Sequence, residues 1–375
     1  VVRAHPRGLV LAGAFDRPSP ELRAAVGAFA AVTGYPVLAE PLSGLRFGPH
    51  DRSGVVAHYD AFLRDGAAAA RLEPDVVIRI GASTTSKVTP TWLDASGALQ
   101  VVIDAYGGWS DPGRRVARFV RAGIAETLAA VAKRVEPRDR AWTRTWLDAD
   151  RATAAALTEH RTRYPGFEGA IAAELVEALP DRALLFTAPS MPIRDLEAFA
   201  PPSSKDIVVM ANRGANGIDG VLSTAIGVAA AQERPVMLLT GDIAFLHDAG
   251  SLLTLKRSGV ELTVVVVNNN GGGIFSFLPQ AAYSEGFEEF FTTPHGLDLG
   301  ALAGGYGIGH ERVAPGGIGA AFADGGGWGQ APSLGSMGGQ RVIEVVAPAI
   351  PENVAAHREA WVAVATAVRS ALGIG

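Results

Sequence analysis

Short runs of apolar residues alternate with helical patterns along the chain, and this alternation predicts the fold. In the first part of the sequence the apolar runs occupy residues 8–13, 36–40, 75–81 and 100–105. One helical pattern follows a potential N-cap at Ser19, and three further helical patterns occupy residues 58–70, 89–95 and 114–134. Each apolar run is bounded by Gly, Pro or Asp, as strands buried in parallel sheets usually are. We therefore predict a doubly wound, Rossmann-like α/β domain over residues 1–137, followed by a charged boundary.

The same alternation continues to the end of the chain. Apolar runs occupy residues 183–186, 207–210, 236–240, 262–267 and 341–346. Helical patterns occupy residues 169–179, 220–232, 248–258 and 352–371. This pattern predicts a second doubly wound domain with a mostly parallel sheet over residues 138–375. The glycine-rich stretch 324–340 lacks an apolar period, so we predict an irregular loop there.

Composition excludes several classes of function. The 375 residues are 48% hydrophobic and 19% charged, with a formal net charge of −5. No basic stripe suggests a nucleic-acid surface, and no apolar run is long enough to predict a membrane span. Because the chain has no cysteine, disulfides, cysteine-ligated metals and thiol catalysis are excluded. The N-terminus has no signal pattern, and we predict a cytoplasmic protein.

Chemistry-bearing residues follow two neighbouring predicted strands. The strand at 236–240 ends at Gly241 and Asp242, and the strand at 262–267 ends in three asparagines and three glycines. The carboxyl ends of parallel strands form the edge where open α/β sheets bind ligands. A carboxylate, a side-chain amide and a backbone carbonyl are suitable oxygen ligands for Mg²⁺, and amides after Asp242 can bind a diphosphate. Each element alone is more often a simple turn or loop; together they predict a metal and diphosphate site.

This pair of elements resembles the signature of the thiamine-diphosphate enzyme family, in which Gly-Asp and Asn-Asn lie a little under thirty residues apart. The resemblance implies that Mg²⁺, or Mn²⁺ in its place, is bound by Asp242, Asn269 and the carbonyl of Gly271. The chain departs from the usual signature at Ile243, where the family often has glycine.

Further segments narrow the resemblance to the 2-succinyl-5-enolpyruvyl-6-hydroxy-3-cyclohexene-1-carboxylate (SEPHCHC) synthases of menaquinone biosynthesis. These segments are residues 190–195 (SMPIRD), 212–220 (NRGANGIDG), 241–248 (GDIAFLHD), 268–279 (NNNGGGIFSFLP) and 293–296 (TPHG). The resemblance extends over the whole chain and is weak before residue 75. It implies decarboxylation of 2-oxoglutarate on thiamine diphosphate and addition of the resulting acyl carbanion to isochorismate.

The resemblance also implies roles for individual residues. Cofactor contacts are expected from Ser190, Arg213, Gly214, Asn216, Gly241, Asp242, Ile243, Ala244, Asn269, Gly271 and Ile274. Substrate contacts are expected from Lys87, Ser190, Arg194, Arg213, Phe275 and Leu278. Both substrates are dicarboxylates, and arginine presents a planar fork that suits them. For Lys87 a surface lysine at a helix start is the alternative, because Val88 stands where the family commonly has a second basic residue.

In this family the glutamate that activates the cofactor comes from an N-terminal pyrimidine-binding domain. That domain is not recognisable in this sequence, so no catalytic glutamate is assigned. The resemblance implies a homodimer or homotetramer, in which the pyrimidine domain of the same or a partner subunit completes the site. We expect a piece of such a synthase; a split-enzyme subunit and an inactive cofactor-binding remnant are the alternatives. An acetolactate-synthase-type enzyme is a further alternative, although a monocarboxylate enzyme would not need the arginine pair.

Overall fold

The computed structural model describes residues 1–15, 19–214, 217–324 and 339–375. These residues form two compact units, each built around a parallel sheet with flanking helices, which confirms the predicted α/β class. Unit 1 comprises Val1–His160, Pro201–Ser204 and Ala360–Gly375, and unit 2 comprises Arg161–Ala200 and Lys205–Glu359. The domain boundary at residue 137 stays a prediction. The expected loop at 324–340 lies almost entirely outside the described residues.

Unit 1 has a six-stranded parallel sheet within its described residues, in the order β3-β2-β1-β4-β5-β6. The strands are β1 (Gly8–Ala12), β2 (Val37–Ala39), β3 (Val55–Val56), β4 (Val76–Ile80), β5 (Leu99–Asp104) and β6 (Val116–Arg121). The helices are α1 (Pro20–Thr33), α2 (Tyr59–Phe62), α3 (Gly66–Arg71), α4 (Val88–Ala95), α5 (Ile124–Ala132) and α6 (Ala141–Arg163). The predicted N-cap is confirmed, because the Ser19 hydroxyl accepts a hydrogen bond from the amide of Leu22. Helix α1 ends at Thr33, and its C-cap residue is Gly34, whose φ of 67° suits glycine.

The predicted helix at 114–134 is wrong in its first half, which forms β6. This strand lies at the edge of the sheet and pairs only with β5 among the described strands. Because both of its faces are partly exposed, its apolar residues do not form the continuous run that marks a buried strand. Gly123 separates β6 from α5 as the N-cap residue of that helix, so the helical pattern applies only beyond it.

Unit 2 also has six parallel strands within its described residues, in the order β11-β12-β10-β9-β7-β8. They are β7 (Leu184–Thr187), β8 (Val208–Ala211), β9 (Val236–Gly241), β10 (Leu262–Asn268), β11 (Gly309–Val313) and β12 (Gln340–Val346). The helices are α7 (Glu168–Ala178), α8 (Met191–Phe199), α9 (Val221–Ala231), α10 (Asp242–His247), α11 (Ser251–Ser258), α12 (Leu299–Gly305), α13 (Ile318–Asp324) and α14 (Ile350–Ala371).

The position of β7 beside β9 creates a reversal of strand order in unit 2. The chain leaves β7 toward β8 on one side and reaches β10 through β9 on the other. The central strands β7, β9 and β10 are almost entirely buried, so their polar groups are exposed only beyond the strand ends. No helix in the described part of the chain combines the length and apolar character that a membrane crossing requires.

Candidate functional site

A cavity of about 360 Å³ lies at the carboxyl ends of the unit 2 strands, beside the reversal of strand order. Open α/β sheets bind ligands at such points, because the loops that leave the two neighbouring strands diverge there. Most of the site residues predicted from the sequence line this cavity: Ser190, Arg194, Arg213, Gly241, Asp242, Ile243, Ala244, Asn269, Gly271, Ile274, Phe275 and Leu278.

Three predicted site residues are not brought into this cavity. Gly214 is exposed and does not contribute to the lining. Lys87 belongs to unit 1, where it is the N-cap residue of α4. Asn216 lies outside the described residues.

The Asp242 carboxylate and the Asn269 amide face the same small space. Asp242 is 2% exposed, and its Oδ2 accepts a hydrogen bond of 2.9 Å from the backbone amide of Gly271. The Oδ1 of Asn269 accepts from the same amide at 3.0 Å. Two oxygens, from residues that directly follow β9 and β10, therefore converge beside Gly271. Within the described residues no group of three or more His, Asp or Glu side chains could hold a metal, so a cation at this cavity would depend on mixed carboxylate, amide and carbonyl oxygens.

The three glycines after the asparagines are required by close packing. A Cβ atom at Gly271 would lie 2.3 Å from the carbonyl oxygen of Thr292, and one at Gly272 would lie 2.6 Å from that of Phe291. A Cβ atom at Gly273 would lie 2.7 Å from Nδ2 of Asn269. The glycines thus allow the loop to approach the 291–292 backbone without displacing the asparagine.

His295 contacts the Asp242 carboxylate, a contact that the sequence alone does not indicate. Its Nδ1 accepts a hydrogen bond of 3.0 Å from the amide of Leu297, so in a neutral ring the hydrogen is on Nε2. Nε2 lies 3.2 Å from Oδ2 of Asp242 and donates to it. Burial raises the pKa of Asp242, while bonds from Ile243, His295 and Gly271 oppose this rise. The Thr-Pro-His-Gly segment is the signal that could have identified His295.

Glu168 supports the other convergent side chain. It begins α7, is 4% exposed, and its Oε1 accepts a hydrogen bond of 2.6 Å from Nδ2 of Asn269. The pKa of Glu168 is raised to about 7, first by burial and then by the charge of Asp195, and it would be higher still without His357 and the Asn269 bond, which lower it. No sequence signal connects Glu168 to Asn269, because 101 residues separate them.

A buried ion pair lies next to Glu168. Nε2 of His357 is 3.0 Å from Oδ1 of Asp195, and its Nδ1 is 2.8 Å from the carbonyl oxygen of Asn353. Both ring nitrogens face acceptors, so the ring is best satisfied as an imidazolium. Although burial lowers the pKa of His357, the hydrogen bond and charge of Asp195 raise it above the ordinary value. Because Asp195 lies in α8 directly after Arg194, this ion pair anchors α8 next to that arginine.

The turn from β7 into α8 is strained. Ser190 has φ 71° and ψ −135°, a conformation that costs a non-glycine residue on the order of 1–3 kcal/mol. Its carbonyl oxygen accepts a hydrogen bond of 2.6 Å from Nη1 of Arg194. The described non-glycine residues with positive φ also include Asn270 and Thr293, so strain recurs in the segments around the cavity, as it often does at functional sites.

Apolar side chains form the wall of the cavity after β10. Ile274 and Phe275 lie in a short 3-10 helix, Gly273–Phe277, and are half-buried, as is Leu278. The ring of Phe275 packs edge-on against Phe291, with centroids 5.4 Å apart. The cavity thus combines an apolar wall with convergent polar groups, the usual composition of a small-molecule site.

Comparison with protein families identifies the kind of enzyme to which this cavity belongs. The family described as "Middle domain of thiamine pyrophosphate" matches residues 2–187. The family described as "Thiamine pyrophosphate enzyme, C-terminal TPP binding domain" matches residues 205–324. The chain belongs to the thiamine pyrophosphate enzymes. The second match contains Asp242, Asn269 and the glycine loop, which are the residues that converge at the cavity.

The chain is also similar to curated SEPHCHC synthases. It is 40% identical over 372 residues to the synthase of Geobacillus thermodenitrificans, covering 96% of this chain and 59% of that protein. It is 44% identical over 308 residues to the synthase of Halobacterium salinarum, covering 82% and 52%. It is 44% identical over 306 residues to the synthase of Myxococcus xanthus, covering 80% and 51%. The chain thus spans between about half and three fifths of the length of these relatives.

Proposed function

We propose that unit 2 binds thiamine diphosphate, the compound also called thiamine pyrophosphate, through a divalent cation held by Asp242, Asn269 and the carbonyl of Gly271. The observation that carries this proposal is the convergence of Asp242 Oδ2 and Asn269 Oδ1 on one backbone amide. Carboxylate, amide and carbonyl oxygens suit Mg²⁺, and Mn²⁺ in its place. Three such protein ligands leave the other coordination positions of the cation to phosphate oxygens and water. The backbone after Gly241, together with Ile243 and Ala244, lines the cavity and can contact the diphosphate.

We further propose that the chain contributes to SEPHCHC synthesis, in which 2-oxoglutarate is decarboxylated and its acyl carbanion equivalent is added to isochorismate. The similarity to synthases with that name supports the proposal. Bound thiamine diphosphate supplies the nucleophilic carbon and the electron sink for decarboxylation. The pyrimidine-binding domain that activates the cofactor, in the same or a partner subunit, is a required partner in this proposal.

The cavity side chains fit dicarboxylate substrates in this proposal. Arg194 and Arg213 bind carboxylates, since a guanidinium offers two parallel donors. The hydrogen bond from Arg194 to the Ser190 carbonyl holds its guanidinium at the cavity before substrate arrives. Phe275 and Leu278 exclude water from the reacting carboxylate, which favours loss of its charge. Lys87 is proposed as a further substrate contact from unit 1.

Isothermal titration calorimetry tests the cofactor site directly. The chain is titrated with thiamine diphosphate in the presence and absence of Mg²⁺, and we expect Mg²⁺-dependent binding that Asp242→Ala abolishes. Glu261→Ala is the matched control, because it also removes one carboxylate, but an exposed one at the opposite end of β10. Equal binding by the wild type and Asp242→Ala would refute the metal assignment.

The reaction is tested by adding a separately expressed pyrimidine-binding domain. We expect CO₂ release from 2-oxoglutarate only when that domain, thiamine diphosphate and Mg²⁺ are all present, and product only when isochorismate is added. Arg194→Lys keeps the charge but loses the bidentate geometry, so we expect a raised KM for 2-oxoglutarate. CO₂ release from pyruvate with an equal kcat/KM would instead indicate a monocarboxylate enzyme.

A further inference from the structure

Glu168 is a buried carboxyl at the cavity that the proposed function leaves without a role. It lines the cavity beside Asn269 and Asp242. Its Oε1 accepts a hydrogen bond of 2.6 Å from Nδ2 of Asn269. Its own backbone amide donates to Oδ1 of Asn353 at 3.0 Å. Glu168 is therefore anchored at both its main chain and its side chain.

The hydrogen bond to Glu168 determines which end of the Asn269 amide faces the cavity. A side-chain amide has two donors on nitrogen and an acceptor on oxygen, and an ionised carboxylate can only accept. Contact with Glu168 therefore selects the orientation in which Nδ2 points away from Gly271. Oδ1 then faces the amide of Gly271, beside Oδ2 of Asp242.

A half-turn of the Asn269 amide would place NH₂ where the oxygen lies. An NH₂ group has no lone pair to offer a cation, and its partial positive charge would repel one. The space beside Gly271 would then retain only the Asp242 carboxylate as a side-chain ligand. Orientation of this one amide thus decides whether two side-chain oxygens or one are available.

Stability is a weak reason to bury a carboxyl here, although the start of α7 and the charge of His357 both favour a carboxylate. Removing a carboxylate from water is costly, and an apolar or neutral side chain of similar volume is often at least as stabilising. Glu168 also shares its surroundings with Asp195 and Asp242, which are both negative when ionised. A role for Glu168 in ligand orientation accounts for a carboxyl in this position.

We propose that Glu168 is a positioning residue that orients the Asn269 amide so that its oxygen binds a divalent cation together with Asp242. This inference rests on the proposed function, because it requires the cation site. It does not assign Glu168 any contact with the metal or the substrate. Groups that orient metal ligands in this way typically contribute about 10–100-fold to metal affinity.

Mn²⁺ binding measured by electron paramagnetic resonance tests this role without any assay of turnover. The signal of free Mn²⁺ is followed while the chain is titrated in the presence of thiamine diphosphate. We expect Glu168→Ala to weaken Mn²⁺ binding by about 10–100-fold. Glu168→Gln keeps an acceptor oxygen and should recover most of the affinity. Glu177→Gln, an exposed position on the same helix, should bind Mn²⁺ as the wild type does.

A rescue experiment separates orientation from a merely structural contact. A carboxylate presents an oxygen at either end, so Asn269→Asp does not need to be oriented. Adding Asn269→Asp to Glu168→Ala should therefore restore Mn²⁺ affinity, while the midpoint of thermal unfolding of Glu168→Gln, which keeps the side-chain volume, stays at or above that of the wild type. A structural role predicts a lowered midpoint and no rescue.

The outcomes distinguish this inference from the proposed function. Mn²⁺ binding by the wild type, with equal affinity in Glu168→Ala, would overturn the positioning role and leave the cation site intact. Absence of Mn²⁺ binding in the wild type would overturn both. If Glu168→Ala does not fold, Glu168→Gln alone decides: loss of affinity equal to that of Asp242→Ala would contradict the role of an acceptor oxygen.

Discussion

Replacing Glu168 with Gln removes a buried titratable group from unit 2 while nearly preserving its shape. The pKa of Glu168 is raised from 4.5 to about 7 by burial first, and then by the charge of Asp195. Asp242 also raises it, whereas His357 and the Asn269 bond lower it. A raised pKa in the folded state means that the folded protein binds this proton more tightly than the unfolded chain does. The resulting stability is fully present below pH 4.5 and is lost as the pH rises through about 7.

The size of this effect follows from the pKa difference. A rise from 4.5 to about 7, at roughly 1.4 kcal/mol per pKa unit, corresponds to on the order of 3 kcal/mol. We therefore expect the free energy of unfolding of Glu168→Gln, relative to the wild type, to increase by most of this amount between pH 5 and pH 8, because at pH 5 the unfolded carboxyl is already largely ionised. Because Glu168 also raises the pKa of His357, the difference includes the interaction between the two groups.

Urea unfolding of the metal-free protein, with a chelator present, measures this difference. Far-UV circular dichroism is the appropriate signal, because the tryptophans in the described residues all belong to unit 1: Trp92, Trp109, Trp142, Trp146 and Trp361. Glu177→Gln on the same helix is the control and should follow the wild type at every pH. Parallel curves for Glu168→Gln and the wild type from pH 5 to pH 8 would refute the argument.

Three further substitutions test other parts of the structure. Gly273→Ala should weaken Mn²⁺ binding by about tenfold or more, because its Cβ would lie 2.7 Å from Nδ2 of Asn269. Gly227→Ala is the control, because a Cβ there would lie in open space within α9. It should leave Mn²⁺ binding unchanged and, in urea unfolding, stabilise the fold by about 0.5–1 kcal/mol. Ser190→Gly should raise the free energy of unfolding by about 1 kcal/mol, because glycine adopts this backbone conformation without strain. Ser190→Ala should not raise it, and equal urea midpoints for the two variants would exclude strain. Asp150→Ala should destabilise unit 1 by roughly 2–4 kcal/mol, because the carboxylate accepts bonds from the amides of Ala57 and His58 and contacts the His58 ring; tryptophan fluorescence during unfolding reports this loss.

The sequence predicts buried strands well and edge strands poorly. The central strands of both sheets appear as continuous apolar runs, so their positions and their carboxyl ends can be identified, and with them the location of Asp242 and Asn269. Among the described edge strands, β3, β6 and β11 are short or partly exposed and are not predicted. The edge strand β8 is the exception, because the apolar run at 207–210 predicts it. An edge strand needs only one neighbour and no continuous apolar face, so its pattern is weak.

The supporting contacts of the site could not be predicted, for a different reason. Asp242 and Asn269 each follow a strand, and strand ends meet at one edge whatever the loops do. Glu168 and His295 reach them from a helix and from an irregular segment. Their approach depends on packing between elements that are distant in sequence, and no local periodicity encodes it. The motif therefore identifies the convergent oxygens but not the groups that orient them.

The paired asparagines illustrate why a motif of two like residues contains two different roles. Successive side chains at the end of a strand point to opposite sides, and Asn268 and Asn269 do so here. Nδ2 of Asn268 donates to Oε1 of Glu344 at 2.7 Å, and this fully buried carboxylate also binds His310 and Arg312 of β11. Asn268 thus fastens the end of β10 to β12 and β11, whereas Asn269 faces the cavity. One asparagine holds the strand end in place so that its neighbour can present an oxygen at a fixed position.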